Sequence, residues 1–586
     1  MEIIQWVVAC VSVPATAGCL SPLIIRWFSR TPSEFVWPLS FALSIGLLTL
    51  AVTLIGFVYL SGLAILLVLI GFWAMSIALG KGSLPTPALR IWWSGLRGGK
   101  SWAWIGIALL LILSIVLTHA TYYPFTGDDE ISRYAYFARL IFQQKQITSS
   151  VRGYPLLLPI AYTITFFAAN GIPEQAAKLF PVLFAAMTIL STYALARRWF
   201  GSYAGWAAVL TLAATPLFIS WAAIGYTDIP CGLYFVLGAY AADVWREKLD
   251  ARWALLTGVL SGLAMWVKQA GFATLPTLMI LVLTVIVGKK RTGHRNDVTR
   301  AILSGSLIFA SAFLPSCWWY LRNAYYDGWG AAIPGAGLYH TMQAPQEALQ
   351  LIPFIGYFST FGYITSLLYI AGLLYAVVSH RHASVRWCLL WCIPYTFLWW
   401  WIFSYDARFL LTVLPFYAVL TGKGISDFWL LLSRYGYGGL RHSAVHHTLV
   451  MLIAGVGLTQ ARLGGSIRWL THHNATYAER LTRAKGDLYP AVEYLRDQTD
   501  PESRTYSTDG RITFYLIERP ITVGYPLNTS ELQGYDYFVV GSWAKSVYNA
   551  LGLINHPLDY LDEMANFQRV YTGPLGELSV YRVLNP

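Results

Sequence analysis

Residues 36–58 read VWPLSFALSIGLLTLAVTLIGFV and contain no charged side chain. Hydrocarbon holds no water to satisfy backbone N–H and C=O groups. Such a run must close its own hydrogen bonds as a helix, and roughly 20 apolar residues cross the layer. Comparable runs recur along the chain. They predict spans near 3–25, 36–58, 60–80, 102–121, 175–196, 203–222, 229–245, 252–269, 271–288, 301–320, 353–378, 387–404, 409–422 and 446–463. The first begins at Ile3 with no basic region before it, which reads as a retained helix and not a cleaved signal. Only 12% of the 586 residues are charged, about half the fraction of soluble domains. The 25 Trp and 37 Tyr gather where apolar runs meet polar ones, as rings do at a membrane interface. The expected fold is an all-α polytopic membrane protein of about 14 transmembrane helices.

Charge divides the chain. Residues 1–470 hold 31 Lys and Arg against 15 Asp and Glu, whereas 471–586 hold 10 against 14. A basic balance among apolar runs marks cytoplasmic loops, not nucleic-acid binding. Arg26 and Arg30, Lys81 to Lys100, Arg197 and Arg198, Arg246 and Lys248, Lys289 to Arg300, Arg381 and Arg386, and Arg434 and Arg441 fall in alternate loops. With these loops inside, Asp128, Asp129, Glu130, Glu174, Asp228, Asp327, Glu347 and Asp406 all face outward. The tail 471–586 faces outward too. It has ordinary soluble composition, and its pieces RTYSTDGRITFYL, YDYFVVGSW and LSVYRVL read as strands beside an amphipathic PAVEYLRDQ. A small extracytoplasmic α/β domain is expected there.

Segment 122–174 is too long for a simple connection. In it, Ile131, Tyr134, Ala135, Ala138 and Phe142 share one helical face. The stretch GYPLLLPIAYTITFFAANG at 153–171 is expected to lie in or dip into the outer interface, since a full span would invert every later loop.

The loop opens with TGDDE. Capping accounts for part of it, because Thr126 and Asp129 match the [ST]-x-x-[DE] box and acids favour a helix N-terminus. Three acids in a row at an anionic surface exceed what a cap needs. Asp228, in GYTDIPCGLY, reads either as a helix start ahead of Pro230 or as a second acidic site. Lys268 interrupts apolar sequence in SGLAMWVKQAG, and an intramembrane charge is costly. Arg322 and Arg408 read as interfacial snorkelling or as anion contacts. Acids and bases at one membrane face suit a phosphate-bearing lipid, with cations on the phosphate and a carboxylate activating a nucleophile. His446–His447 and His472–His473 are poor metal pairs, because adjacent residues diverge on a helix. The six Cys all sit in apolar stretches and read as small buried hydrophobes. The chain contains no Walker A loop, no GxGxxG after a strand and no HExxH.

Several segments, in order, resemble the GT-C superfamily of polyprenyl-phosphate-dependent glycosyltransferases. The closer likeness is to the branch of protein O-mannosyltransferases and the lipid A aminoarabinose transferase. The acids followed by RYAYFARLI resemble that branch's first outer loop, where an Asp, often before Glu, is catalytic. YPLLLPIAYTITFFAANG is similar to its juxtamembrane segment. LFPVLFAAMTILSTYALARRWF and the run to GYTDIP resemble its next two helices, ending at a second acid. SGLAMWVKQAG, CWWYLRN and ARFLLTVLPF resemble its Lys-x-x-Gly, Trp-x-x-Arg-Asn and Arg-Tyr-Leu-Leu-x-x-Pro elements. The likeness spans about 102–425. It departs from the pattern in having Asp-Asp-Glu for a single Asp-Glu, so either Asp128 or Asp129 is the equivalent acid. Three helices also precede the usual first one.

The resemblance implies three parts: additional N-terminal helices over 1–100, a catalytic membrane module over 101–470 containing the outer loop 122–174, and the soluble domain over 471–586. It implies transfer of a sugar, with inversion, from a polyprenyl phosphate to an acceptor hydroxyl on protein, lipid or glycan. The plasma membrane of a bacterium or archaeon is the implied location. Asp129, Asp128 and Glu130 become the catalytic candidates, with Asp129 or Asp128 as base. Asp228, Lys268, Arg322, Arg408 and Tyr154 become the substrate-binding ones. The resemblance names no certain cofactor; a divalent metal is compatible, with no ligand assigned. The alternatives are a transporter or flippase of a lipid-linked or anionic substrate, and a scaffold that displays the tail domain.

Overall fold

The computed structural model describes residues 3–80, 100–291, 295–328, 352–400, 406–434, 455, 471–550, 558 and 560–584. The expected helix near 446–463, the pair His446–His447, Glu347, Arg441 and most of the basic loop ending at Lys100 lie outside them.

Helices dominate, as the apolar runs require. Six are long and apolar enough to cross a membrane: Ile3–Trp27, Ser33–Gly56, Gly62–Gly80, Ile105–Tyr122, Glu174–Phe200 and Gln269–Arg291. Two bent pairs bring the number to eight. Helices also form over Asp228–Lys248, Ala251–Val267, Tyr363–Val378, Ala383–Leu398 and Leu414–Arg434, where spans were expected, but they are shorter or more polar. Among the described residues six helices meet the length and composition of a span, or up to eight if each bent pair is one span.

The bend that matters most lies between Ser202–Ala213 and Pro216–Ala222, whose axes differ by 70°. Thr215 precedes a proline and adopts an extended conformation with ψ 119°, which the proline ring favours over a helical one. The chain then turns into the loop that carries Asp228.

The N-terminal helices are packed into the bundle. Tyr234 Oη donates to Ala42 O at 2.7 Å, and Trp266 Nε1 donates to Thr49 Oγ1 at 3.2 Å. The apolar stretch after Tyr154 forms a helix only over Leu157–Ala169, too short to span, and buries nearly every side chain. Helices Ile3–Gly18, Ser33–Gly56 and Tyr136–Gln144 cover it. Its length agrees with a helix that does not cross the membrane, and the N-terminal helices cover one of its sides.

The C-terminal domain has a five-stranded sheet in the order β2-β1-β3-β5-β4. The strands are β1 Thr505–Ser507, β2 Ile521–Val523, β3 Tyr537–Gly541, β4 Phe567–Thr572 and β5 Leu578–Val583. The first three run parallel and β5 pairs antiparallel with β3 and β4. The expected strand at 504–516 ends at Ser507. Asp509 Oδ1 accepts from Arg511 N at 2.9 Å, turning the chain into the short helix Ile512–Tyr515.

Candidate active site

The acid loop is built from below by buried charges. Glu130 is fully buried, and its carboxylate accepts from Thr126 N at 3.0 Å, Gly127 N at 2.9 Å and Gly225 N at 2.6 Å. Burial pushes its carboxyl up even against the nearby Lys178 and these three donors. Lys178 Nζ donates to Tyr123 O and Pro124 O, and Glu174 accepts from Phe125 N at 2.7 Å. The backbone from 123 to 127 is thus held by three buried side chains. Gly225 is needed for this: a Cβ there would collide with Tyr162 Oη and the Glu130 carboxylate.

The expected Thr126–Asp129 capping box does not form; Thr126 Oγ1 is buried with no hydrogen-bond partner among the described residues. Glu130 reaches back to Gly127 N in its place, so that half of a box is displaced by one residue. Asp129 is thereby left for tertiary contacts. The next turn, Glu130–Ala135, is a π-helix, a distortion that recurs at functional sites.

Asp128 and Asp129, although adjacent, face different partners. The Asp128 side chain is 64% exposed and accepts from Lys485 Nζ at 2.7 Å and Arg511 Nη1 at 2.9 Å, both in the C-terminal domain. Burial alone would raise its carboxyl, but these two cations hold it below the usual carboxylate range. Asp129 is partly buried and pairs with the membrane module. Its Oδ2 accepts from Arg408 Nη1 at 2.9 Å, and its backbone N–H donates to Tyr226 Oη at 3.2 Å.

Arg408 lies in a 3₁₀ turn, Ala407–Thr412, capped by Asp406, whose Oδ1 accepts from Arg408 N at 2.9 Å. Arg408 Nε lies 2.8 Å from Asp406 Oδ2 in an ion pair, with no hydrogen bond among the described residues. Burial raises the Asp406 carboxyl despite Arg408. The guanidinium lies 4.9 Å from the Phe409 ring centre and 5.0 Å from that of Tyr226. Lys268, at the break between Ala251–Val267 and Gln269–Ala273, sits 3.7 Å from the same Phe409 ring. Its Nζ donates to Asp228 Oδ1 at 2.5 Å. Asp228 is in the first turn of Asp228–Lys248, and its side chain makes this ion pair where the capping reading expects a bond to the backbone. Tyr134 Oη and Thr227 Oγ1 hydrogen-bond at 3.0 Å, tying the acid helix to the Asp228 turn.

Asp129, Asp228, Lys268 and Arg408 thus come together around Phe409 and Tyr226. Tyr154 stands near them, with its ring 6.1 Å from that of Tyr134 and under the Arg133 guanidinium at 4.8 Å. Arg322 goes elsewhere. It donates to Val151 O at 3.0 Å and Thr148 O at 2.9 Å and stacks on Trp319, holding the segment that leads to Tyr154. Asp406, Phe409, Tyr226, Glu174 and Lys178 were not singled out by sequence reasoning as site residues. The i,i+4 spacing of Glu174 and Lys178 looks like an ordinary surface pair.

Each carboxylate of the site is committed to a cation: Asp128 to Lys485 and Arg511, Asp129 and Asp406 to Arg408, and Asp228 to Lys268. Among the described residues no three His, Cys, Asp or Glu side chains gather as metal ligands.

The fold that carries this arrangement is shared with solved structures of two membrane transferases. Residues 155–319 match the family model for dolichyl-phosphate-mannose-protein mannosyltransferase. ArnT from Cupriavidus metallidurans, in the apo state, superposes with a TM-score of 0.53 at 16% identity, over 83% of this chain and 98% of that one. Its structure bound to undecaprenyl phosphate gives 0.51 at 16% identity, over 82% and 98%. The archaeal oligosaccharyltransferase AglB from Archaeoglobus fulgidus, in complex with an inhibitory peptide and a dolichol-phosphate, gives 0.53 at 13% identity, over 84% and 75%. No curated protein matches the chain.

Proposed function

We propose that this integral membrane protein is an inverting glycosyltransferase. It moves a sugar from a polyprenyl-phosphate donor to an acceptor hydroxyl on protein, lipid or glycan at the outer face of the membrane. The observation that carries the reading is the Asp129–Arg408 pair beside Asp228–Lys268: one partly buried carboxylate next to two cations on a single aromatic ring.

The chemistry follows from that layout. Asp129 takes the proton of the acceptor hydroxyl, and the oxygen attacks the anomeric carbon opposite the phosphate. The bond from that carbon to the phosphate oxygen breaks, and the electron pair leaves with the phosphate. Arg408 and Lys268 stabilise the charge that develops there. One displacement on one face inverts the centre. Asp228 holds Lys268 in place, and Tyr154 and Tyr134 line the approach.

Asp128 serves docking in this reading, because its partners belong to the C-terminal domain. Glu130 positions Asp129 from beneath. The domain at 471–586 sits over the acid loop on the outer face and shapes the acceptor path, and the helices before residue 100 support the bundle. ArnT bound to undecaprenyl phosphate and AglB bound to dolichol-phosphate support a lipid-phosphate donor.

The test is purified protein in lipid, supplied with a polyprenyl-phosphate sugar and a hydroxyl acceptor. Wild type should release the polyprenyl phosphate and Asp129→Asn should not. Donor left intact by wild type across a panel of sugars counts against the transferase reading.

A further inference from the structure

The site without substrate is already charge-saturated. Asp129, Asp228 and Asp406 carry three negative charges against the two positive charges of Arg408 and Lys268. A phosphate entering this net-negative site must take a cation from a carboxylate that now holds it. The two carboxylates on Arg408 are not equivalent. Asp406 belongs to the same turn: its side chain caps Arg408 N, and its carbonyl accepts from Trp399 Nε1 at 2.9 Å. It moves with Arg408. Asp129 sits on a different element, 279 residues away in sequence, and holds Arg408 through Nη1 alone. Nε faces Asp406 Oδ2 at 2.8 Å, so the exchange falls at Nη1. An Arg fork prefers two parallel bonds to a phosphate or carboxylate.

We propose that the donor phosphate displaces Asp129 from Arg408, that Asp406 is the positioning residue that keeps the guanidinium in place during the exchange, and that the base is released only once the donor is bound. The inference rests on the transferase reading above. Before the donor arrives, the Asp129 carboxylate is tied up in an ion pair with Arg408. The phosphate takes that cation and leaves the carboxylate free to accept a hydrogen bond from the acceptor hydroxyl. Productive binding is therefore ordered, donor first.

Competition has a distinctive signature: removing the base strengthens donor binding. The probe is undecaprenyl phosphate without sugar, titrated into nanodisc-embedded protein. Asp129→Asn should bind it about tenfold tighter than wild type, because a charge-assisted contact no longer competes. Asp406→Asn should bind no tighter than wild type and lose turnover, and Asp406→Glu should recover part of that turnover. Equal tightening in Asp129→Asn and Asp406→Asn would mean a general field effect, and it overturns the exchange. Unchanged or weaker binding in a folded Asp129→Asn overturns it as well. Wild type that fails to bind the lipid phosphate overturns the donor reading together with this inference. Wild-type binding without a gain in Asp129→Asn overturns the inference alone.

Discussion

Lys485 of the C-terminal domain donates to Asp128 at 2.7 Å across 357 residues of sequence. The neighbouring Asp129 turns inward to Arg408. Two adjacent carboxylates therefore do different work, and their substitutions should separate. Asp129→Asn should cut turnover about 10²- to 10⁴-fold, as loss of a general base does, with melting temperature nearly unchanged. Asp128→Asn should keep turnover within about tenfold of wild type and expose the C-terminal domain to protease. Equal losses of turnover in the two variants would contradict the division.

The same contact gives docking a pH dependence. Lys485 and Arg511 hold the Asp128 carboxyl below its usual value of about 3.9 in the folded protein. A depressed carboxylate adds stability that is complete above the unfolded value and is lost as pH falls through the folded one. Limited proteolysis of the C-terminal domain should be unchanged down to about pH 4 and accelerate below it. Asp128→Asn should abolish that acid step.

Glu130→Gln should behave as a folding mutant. Its carboxylate serves three backbone N–H groups in full burial. An amide presents one acceptor oxygen in place of two and turns N–H donors toward the backbone N–H groups that the carboxylate serves. The expected cost is about 1–3 kcal/mol, read as a lower melting temperature. Gly225→Ala strikes the same junction sterically and should destabilise by about 1–3 kcal/mol. A melting temperature equal to wild type in either variant would show that the junction is looser than described.

Arg408 and Arg322 were equal candidates in sequence but are not equal in structure. Arg408→Ala should weaken binding of polyprenyl phosphate about ten- to a hundredfold, and Arg408→Lys should restore only part because a point charge lacks the fork. Arg322→Ala should leave that affinity near wild type and loosen the 148–153 segment, visible as faster amide exchange there. A large affinity loss in Arg322→Ala would return that residue to the phosphate site.

Orientation is open to direct measurement. Ser542 is exposed on the C-terminal domain. With the native cysteines replaced, Ser542→Cys should react with a membrane-impermeant thiol reagent on intact cells. Reaction only after the cells are opened would reverse the proposed topology.

What the sequence discloses follows from which forces act locally. The apolar runs declare themselves because a bilayer imposes length and composition residue by residue, and most expected helices lie where the runs put them. The bend before Pro216 and the turn at Asp509 depend on single residues and were read as parts of longer elements. Asp129, Asp228, Lys268 and Arg408 stand out because charge is scarce in this chain. The burial of Glu174 and Lys178 leaves no such mark. Nor does the sequence reveal that Arg322 meets the carbonyls of 148 and 151, because long-range partners are set by packing alone.

Glu130 grips the turns around residues 126 and 225 with the two oxygens of one carboxylate. The spacing between the two acidic halves of the site is thus set by a shared rivet, reinforced by the Tyr134–Thr227 and Asp129–Tyr226 bonds, rather than by two independent loops. Lengthening either loop by one residue would pull that rivet from both at once. New substrates are then more readily accommodated at the periphery, in the 3₁₀ turn at 407–412 or the C-terminal domain, than by reshaping the gap between Asp129 and Asp228.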